Sequence, residues 1–316
     1  MAPKAAVFCQ NGLGHGINTL VLSNNLQLNG YEVQTYQNEM SSLQNWVPHL
    51  PVSIYPPIEE IPKILHQYDL YFVIWNDLDP FIQKLVAEGQ SRCPEKMRIL
   101  YLHTKPKNTV EYADCLTDPK ASVAKNMRLV CEKVMHLPKI SKSNGFIAPE
   151  GLAFRKHSVR VAIHPTSSNT CHSWPKSKYV KLALHLKKIG LRPVFTLAEK
   201  ELEDWKDVLL LGLEIASFST LDALSKFIYE SGYMIGNNSG PVHLASALGI
   251  QTLTLCKRKT TAKMLAPSFV NGVILAPNPL IPNMRGMRLR DHFWQHFITV
   301  GMACRAFDRL RQLVVT

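Results

Sequence analysis

No apolar run in this chain approaches the roughly 20 residues that a membrane-spanning helix needs. The opening MAPKAAVFCQNG has no signal-peptide layout, so the chain is expected in the cytoplasm. Its seven cysteines (Cys9, Cys93, Cys115, Cys131, Cys171, Cys256, Cys304) are an odd number without Cys-x-x-Cys spacing. That pattern argues against a disulfide framework and against a zinc site, and leaves most of them as small buried hydrophobes. Acidic residues are scarce: 24 Asp and Glu face 36 Lys and Arg, a formal net charge of +12. The imbalance favours anionic partners, namely a phosphorylated glycolipid or glycan, an acidic membrane surface, or nucleic acid. No helix-turn-helix, RNP or zinc-finger pattern is present, so nucleic acid is not expected. A dinucleotide fingerprint is missing too: the glycines at 12, 14 and 16 are followed by Ile17, and no acidic residue closes the next strand at Tyr36.

What remains describes an ordinary globular chain of 316 residues, 46% hydrophobic and 19% charged, comfortable for two domains of about 150 residues. The stretch from Ser231 to Cys256, SGYMIGNNSGPVHLASALGIQTLTLC, carries the strongest local signal. Tyr233 to Gly236 reads as a buried strand, Asn237 to Gly240 as a turn, Val242 to Leu248 as a helix and Gln251 to Cys256 as the next strand. Pro241 suits the first helical turn, where its missing N–H has no intrahelical partner, and Gly249 suits the left-handed cap. A helix that starts this sharply aims backbone N–H groups and the positive end of its dipole at one spot, which phosphate fits; an ordinary βαβ turn of Asn, Ser and Gly is the plainer alternative.

The pattern of a parallel α/β fold recurs along the chain. Ala5 to Cys9 reads as a strand, QNGLGHG as a loop, Ile17 to Leu28 as a helix with an apolar face, and Glu32 to Tyr36 as a strand. Residues 40 to 60 read as loop. Further strands are expected over 69–75 and 97–103, and a helix over 121–136. Asp77-Leu78-Asp79 has the spacing of a metal-binding DxD, but Asp79-Pro80 followed by FIQKLVAEG is better read as a helix N-cap with proline in the first turn. Lys105 and Lys107 follow a strand, in a loop either solvated or facing acceptor phosphates. Pro138 to Ser158 has a linker's composition and puts a boundary near 150. Beyond it the alternation restarts: a strand over 159–163, the polar loop HPTSSNTCHS, a helix over 176–189 and a strand over 193–197. KRKTTAK after Cys256 is a second basic loop, closing over phosphate or simply solvated.

The segment Gly236 to Gly249 resembles the strand-DSGPxHLAxALG-strand signature of the ADP-heptose:lipopolysaccharide heptosyltransferases, glycosyltransferase family 9, with Asn238 where that family has Asp. His164-Pro165-Thr166, then Ser167 and Ser168, then His172-Ser173-Trp174-Pro175 resemble the same family's second phosphate loop, with His172 in the place of a Lys. The resemblance implies a GT-B fold: two Rossmann-like α/β domains, 1–150 on the acceptor side and 151–290 on the donor side, with an active cleft between them. The tail, 291–316, would be a helix packing back on the first domain.

The function so implied is an inverting, metal-independent transfer of heptose or a similar sugar to a lipopolysaccharide-core or related glycan. The donor is a nucleotide-diphospho-sugar such as ADP-heptose, and no cofactor is implied. Diphosphate would sit on Ser167, Ser168, His172, Ser239 and Gly240, ribose on Glu201, and sugar near Asn238 and His243. The family's catalytic Asp falls on His15, whose imidazole, with an ordinary pKa near 6.5, is fit for base work. Lys105 and Lys107 would meet the acceptor. Arg285, Arg288 and Arg290, interleaved with Met284, Met287 and Leu289, suit an anionic membrane face, which would place the protein at the inner face of the bacterial inner membrane. A second reading is a nucleotide-sugar-binding homologue that keeps the fold for an interaction role.

Overall fold

Short apolar runs alternating with helical stretches force a βαβ architecture, and the chain forms it twice. A computed structural model describes residues 1–102, 118, 121–167, 170–258, 269–283 and 288–315. They divide into two compact units, Met1–Ile147 and Ala148–Thr316.

The first unit contains β1 (Lys4–Phe8), α1 (Leu13–Leu28), β2 (Glu32–Tyr36), β3 (Val52–Ser53), α2 (Ile61–Ile64), β4 (Leu70–Ile74), α3 (Pro80–Arg92), β5 (Met97–Leu100) and α4 (Val123–Leu129). Its sheet is parallel, in the order β3-β2-β1-β4-β5. Helices cover both faces of such a sheet, which is why Ala5 to Phe8 form an unbroken apolar run and are fully buried. The order reverses between β1 and β4. That switch point opens a crevice at the carboxyl ends of the two strands.

α1 begins at Leu13, four residues before the helical pattern suggests, so Gly14 and His15 lie in its first turn. Gly12, at φ +102, makes the sharp entry, and Gly16 lies inside the helix at a place with no room for a side chain, since a Cβ there would lie 2.6 Å from Met40 Cγ. Asp79 caps α3 as expected, accepting from Phe81 N at 3.0 Å and Ile82 N at 3.3 Å.

The second unit contains β6 (His157–His164), α5 (Lys176–Lys188), β7 (Arg192–Ala198), β8 (Glu214–Phe218), α6 (Leu221–Tyr229), β9 (Ser231–Asn237), α7 (Gly240–Ala247), β10 (Gln251–Leu255) and β11 (Val273–Leu275). Three helices follow: α8 (Leu289–His292), α9 (Trp294–Phe297) and α10 (Val300–Val315). The strands are parallel in the order β11-β10-β9-β6-β7-β8, the doubly wound order, with its switch point between β6 and β9. Gly249 takes φ +81 and ends α7, with Ile250 N donating back to Ala245 O at 2.9 Å. At Gly236 a Cβ would come within 2.8 Å of both His164 O and Val242 Cγ2, so only glycine lets β6, β9 and α7 meet this closely.

The tail belongs to the second unit. The buried residues Trp294, Ile298, Ala303, Ala306, Phe307 and Leu310 join the core of the second unit, where the Phe307 ring meets Tyr233 at 5.2 Å. The six-stranded sheet has an apolar face to cover, and the amphipathic α10 covers it. The tail is also broken into three helices rather than one. Among the described residues no helix is long and apolar enough to cross a membrane.

One buried amide anchors the loop at the switch point. Asn237 Oδ1 accepts from Trp174 N at 2.9 Å and from Tyr179 OH at 3.0 Å, while Nδ2 donates to Pro165 O at 2.7 Å. Asn237 is fully buried. Replacing it with alanine orphans three polar groups in a dry core, so Asn237→Ala is expected to cost about 3 kcal/mol. A urea midpoint equal to that of the wild type, at equal m-value, would contradict this.

Candidate functional site

Three strand ends converge at the switch point of the second unit. His172 follows β6, Asn238 follows β9, and Cys256, Lys257 and Arg258 follow β10; together they line a cavity of about 290 Å³. The loop bearing His172 is fixed from two sides. Asn237 holds it at Pro165 and Trp174, and the chain around α9 straps it: Trp294 Nε1 donates to Cys171 O at 2.9 Å, Gln295 Nε2 to Ser173 O at 2.7 Å, and Trp174 Nε1 to Ile298 O at 3.1 Å. Trp174 is buried and serves the core.

α7 starts beside this cavity. Ser239 occupies its N-cap position, yet no side chain caps the helix, because Ser239 Oγ turns back to Asn237 O at 3.3 Å. With Pro241 in the first turn, the N–H groups at the helix start are left to whatever the turn faces. Asn238 N is taken by Leu255 O at 3.1 Å, whereas its side-chain Oδ1 is buried with no hydrogen-bond donor among the described residues. Buried carbonyl oxygens of that kind are uncommon and call for a donor.

His164, at the end of β6, is oriented by its neighbours. Its Nδ1 lies 2.9 Å from Thr196 O, so that nitrogen carries the proton, and Nε2 is left to accept from Thr166 Oγ1 at 3.3 Å. Loss of hydration pushes its pKa down, while the Thr196 carbonyl and the charge of Glu201 partly oppose this. Glu201 sits past the end of β7, where one carboxylate oxygen accepts from Ala198 N at 2.8 Å. The expected donor residues therefore divide as follows. His172 and Asn238 share the cavity, Ser239 and Gly240 form the adjoining helix start, Ser167 is half-buried in the loop after β6, and His243 is buried within α7. Ser168, Lys105 and Lys107 lie outside the described residues.

Lys257, Arg258 and Asn237 were not among the residues expected to form the site. The first two were visible in the sequence only as a basic loop of undecided role. The adjacent pair Asn237-Asn238 gave no sign that one amide is structural and the other faces the cavity.

In the first unit, the corresponding edge is rich in polar groups. His15 is half-buried in the first turn of α1, and a Cβ on Gly12 would touch its Cδ2 at 3.6 Å. Gly12 N donates to Glu39 Oε1 at 3.1 Å, and Gln37 Nε2 donates to Glu39 Oε2. Asn11 Nδ2 donates to Asp79 Oδ2 at 3.1 Å. A carboxylate therefore sits at the start of α1, on the N–H of Gly12, where the helix dipole favours it.

Comparison with known proteins bears on both units. A model of glycosyltransferase family 9 (heptosyltransferase) matches residues 108–275, just over half of the chain. No curated protein sequence matches it. Among solved structures, a family 9 glycosyltransferase from Veillonella parvula is 14% identical, with 99% of this chain and 98% of that one covered at a TM-score of 0.72. E. coli ADP-heptose lps heptosyltransferase II is 15% identical over 99% and 100% of the two chains, at 0.69. E. coli heptosyltransferase WaaC with ADP is 12% identical over 97% and 99%, at 0.71. These likenesses fix the GT-B fold, two parallel-sheet α/β domains. Together with the family match, they lead to one conclusion: the chain belongs to glycosyltransferase family 9, the heptosyltransferases.

Proposed function

We propose that this chain transfers a sugar from a nucleotide-diphospho-sugar, with inversion, to a phosphorylated glycolipid or glycan acceptor such as a lipopolysaccharide core. The observation that carries the reading is the cavity at the β6/β9 switch point, walled by two cations and adjoining a helix start that no side chain caps. Diphosphate would lie against the N–H groups of Ser239 and Gly240 and the hydroxyls of Ser167 and Ser168, ribose against Glu201, and a sugar hydroxyl would supply the donor that Asn238 Oδ1 lacks. ADP-heptose is the first donor to try, because solved structures of similar fold are named as complexes with ADP-D-beta-D-heptose or with ADP-2-deoxy-2-fluoro heptose. The excess of basic side chains suits an acceptor bearing phosphate and an anionic inner-membrane face.

Chemically, the bond between the anomeric carbon and the diphosphate oxygen breaks, and its electron pair leaves with the diphosphate. The acceptor hydroxyl oxygen forms the new bond from the opposite face, and its proton passes to a base. The oxocarbenium-like transition state puts growing charge on the diphosphate, where fixed dipoles and cations stabilise it more than they stabilise the bound donor. Those groups can do the neutralising that a divalent ion does elsewhere, so we propose metal-independent transfer. His15 is the proposed base, and Glu39, which accepts from Gly12 N at the start of the same helix, is the carboxylate to test against it.

Two expectations follow from this reading. A nucleoside diphosphate should bind with equal affinity with and without a chelator in calorimetry, and Ser239→Asp should abolish binding by placing a carboxylate where phosphate belongs. Binding that vanishes with divalent ions removed would overturn metal independence. For the chemistry, transfer should require a neutral imidazole at His15, since imidazolium has no lone pair for the acceptor's proton. His15→Ala should lower the rate on the order of 10²–10⁴-fold with donor affinity nearly unchanged. Wild-type turnover in His15→Ala, with loss in Glu39→Gln, would move the base to the carboxylate.

A further inference from the structure

Arg258 is anchored in a way that a solvated loop residue is not. Its Nε donates to Asp291 Oδ1 at 2.9 Å and its Nη2 donates to Oδ2, a planar two-point bond. Asp291 is 3% exposed, and its own N–H goes to Asn283 Oδ1 at 3.3 Å. The guanidinium, ahead of the Asn283 contact, pulls the carboxyl down to about 2, so Asp291 stays charged across the working range. Forked pairing holds a guanidinium in one plane and one place, which a lysine ammonium would not achieve.

The same side chain also belongs to the cavity. Arg258 is 44% exposed and lines the cavity with Lys257, His172 and Asn238, and among the described residues its guanidinium is bonded to Asp291 alone, through Nε and Nη2. With Asp291 included, Lys257 and Arg258 still sum to a net positive charge at this wall. A purely structural ion pair has no need to line a ligand-sized cavity. Nor does it need to draw its buried carboxylate from a segment 33 residues away that also straps the opposite wall through Trp294 and Gln295.

We propose that Arg258 is an anion-binding residue of this cavity, meeting the diphosphate oxygens of the donor, and that Asp291 is the residue that positions it. The inference rests on the reading that the cavity receives a nucleoside diphosphate. As the bond from sugar to diphosphate breaks, Arg258 meets the oxygen on which charge accumulates. The segment Asp291–Ile298 then sets both walls of the cavity, one through Arg258 and the other through the loop of His172.

The test is a ladder of ligands. Of ADP, UDP, GDP and dTDP, the tightest binder to the wild type is chosen, and it, its monophosphate and its nucleoside are titrated calorimetrically into four proteins. These are the wild type, Asp291→Asn, Arg258→Lys and the pair Arg258→Ala with Asp291→Asn, which leaves no orphaned buried charge. The paired variant should lose on the order of 10–100-fold in diphosphate affinity, less in monophosphate affinity and none in nucleoside affinity. Asp291→Asn alone should lose a smaller factor with the same ordering, and Arg258→Lys should recover only part, because an ammonium cannot hold the fork. Melting temperatures check that each variant folds. Equal losses for all three ligands would make the pair a structural strut and overturn the proposal. Wild-type affinity in the folded paired variant would overturn it too and leave the proposed function standing. No diphosphate binding by the wild type would overturn both.

Discussion

The side chain of Asn237 is the constraint on which the second unit's site depends. A strand end at a switch point must release its neighbouring loop into solvent, and polar loops so released wander unless something ties them. Here one amide, fully buried, grips both ends of the loop after β6, at Pro165 and at Trp174, and takes the Tyr179 hydroxyl as well. With the loop fixed, His172 faces a wall formed by Asn238, Lys257 and Arg258, and the uncapped start of α7 lies alongside. The tie is made inside the core, where a hydrogen bond is strong and an unmade one is costly, so it gives rigidity without occupying the cavity.

A second layer of support comes from the end of the chain. The amphipathic α10 seals the sheet, and the segment before it reaches over the pocket loops with Trp294, Gln295 and Asp291. The first unit carries a comparable polar cluster at its own switch point, where Glu39 holds the N–H of Gly12 and Asp79 holds Asn11. In both units, then, short side chains fix the loops that leave the strands of the switch point, as a site that must bind without reorganising requires.

Much of this was readable in the sequence, for a physical reason. Parallel strands and the turns that follow them obey local rules: Asp79-Pro80 capped α3, and Pro241 and Gly249 bounded α7, because caps depend on neighbours a few residues away. What could not be read depends on distant partners. Arg258 in a basic loop looks solvated until Asp291, 33 residues on, is seen to hold it. Asn237 and Asn238 are chemically the same, and only the position of Trp174 and Tyr179 separates anchor from wall. The early start of α1 was hidden because Gly14 and Gly16 look like loop residues, whereas Gly16 is small to admit Met40.

The central claim is that a nucleoside diphosphate binds at the β6/β9 switch point of the second unit. Hydrogen exchange read by mass spectrometry, with and without saturating nucleoside diphosphate, tests it most directly. The account predicts slowed exchange in peptides covering residues 165–175, 238–243 and 256–258, with β7 and β8 unchanged away from Glu201. Binding accompanied by no protection at these three strand ends would contradict it.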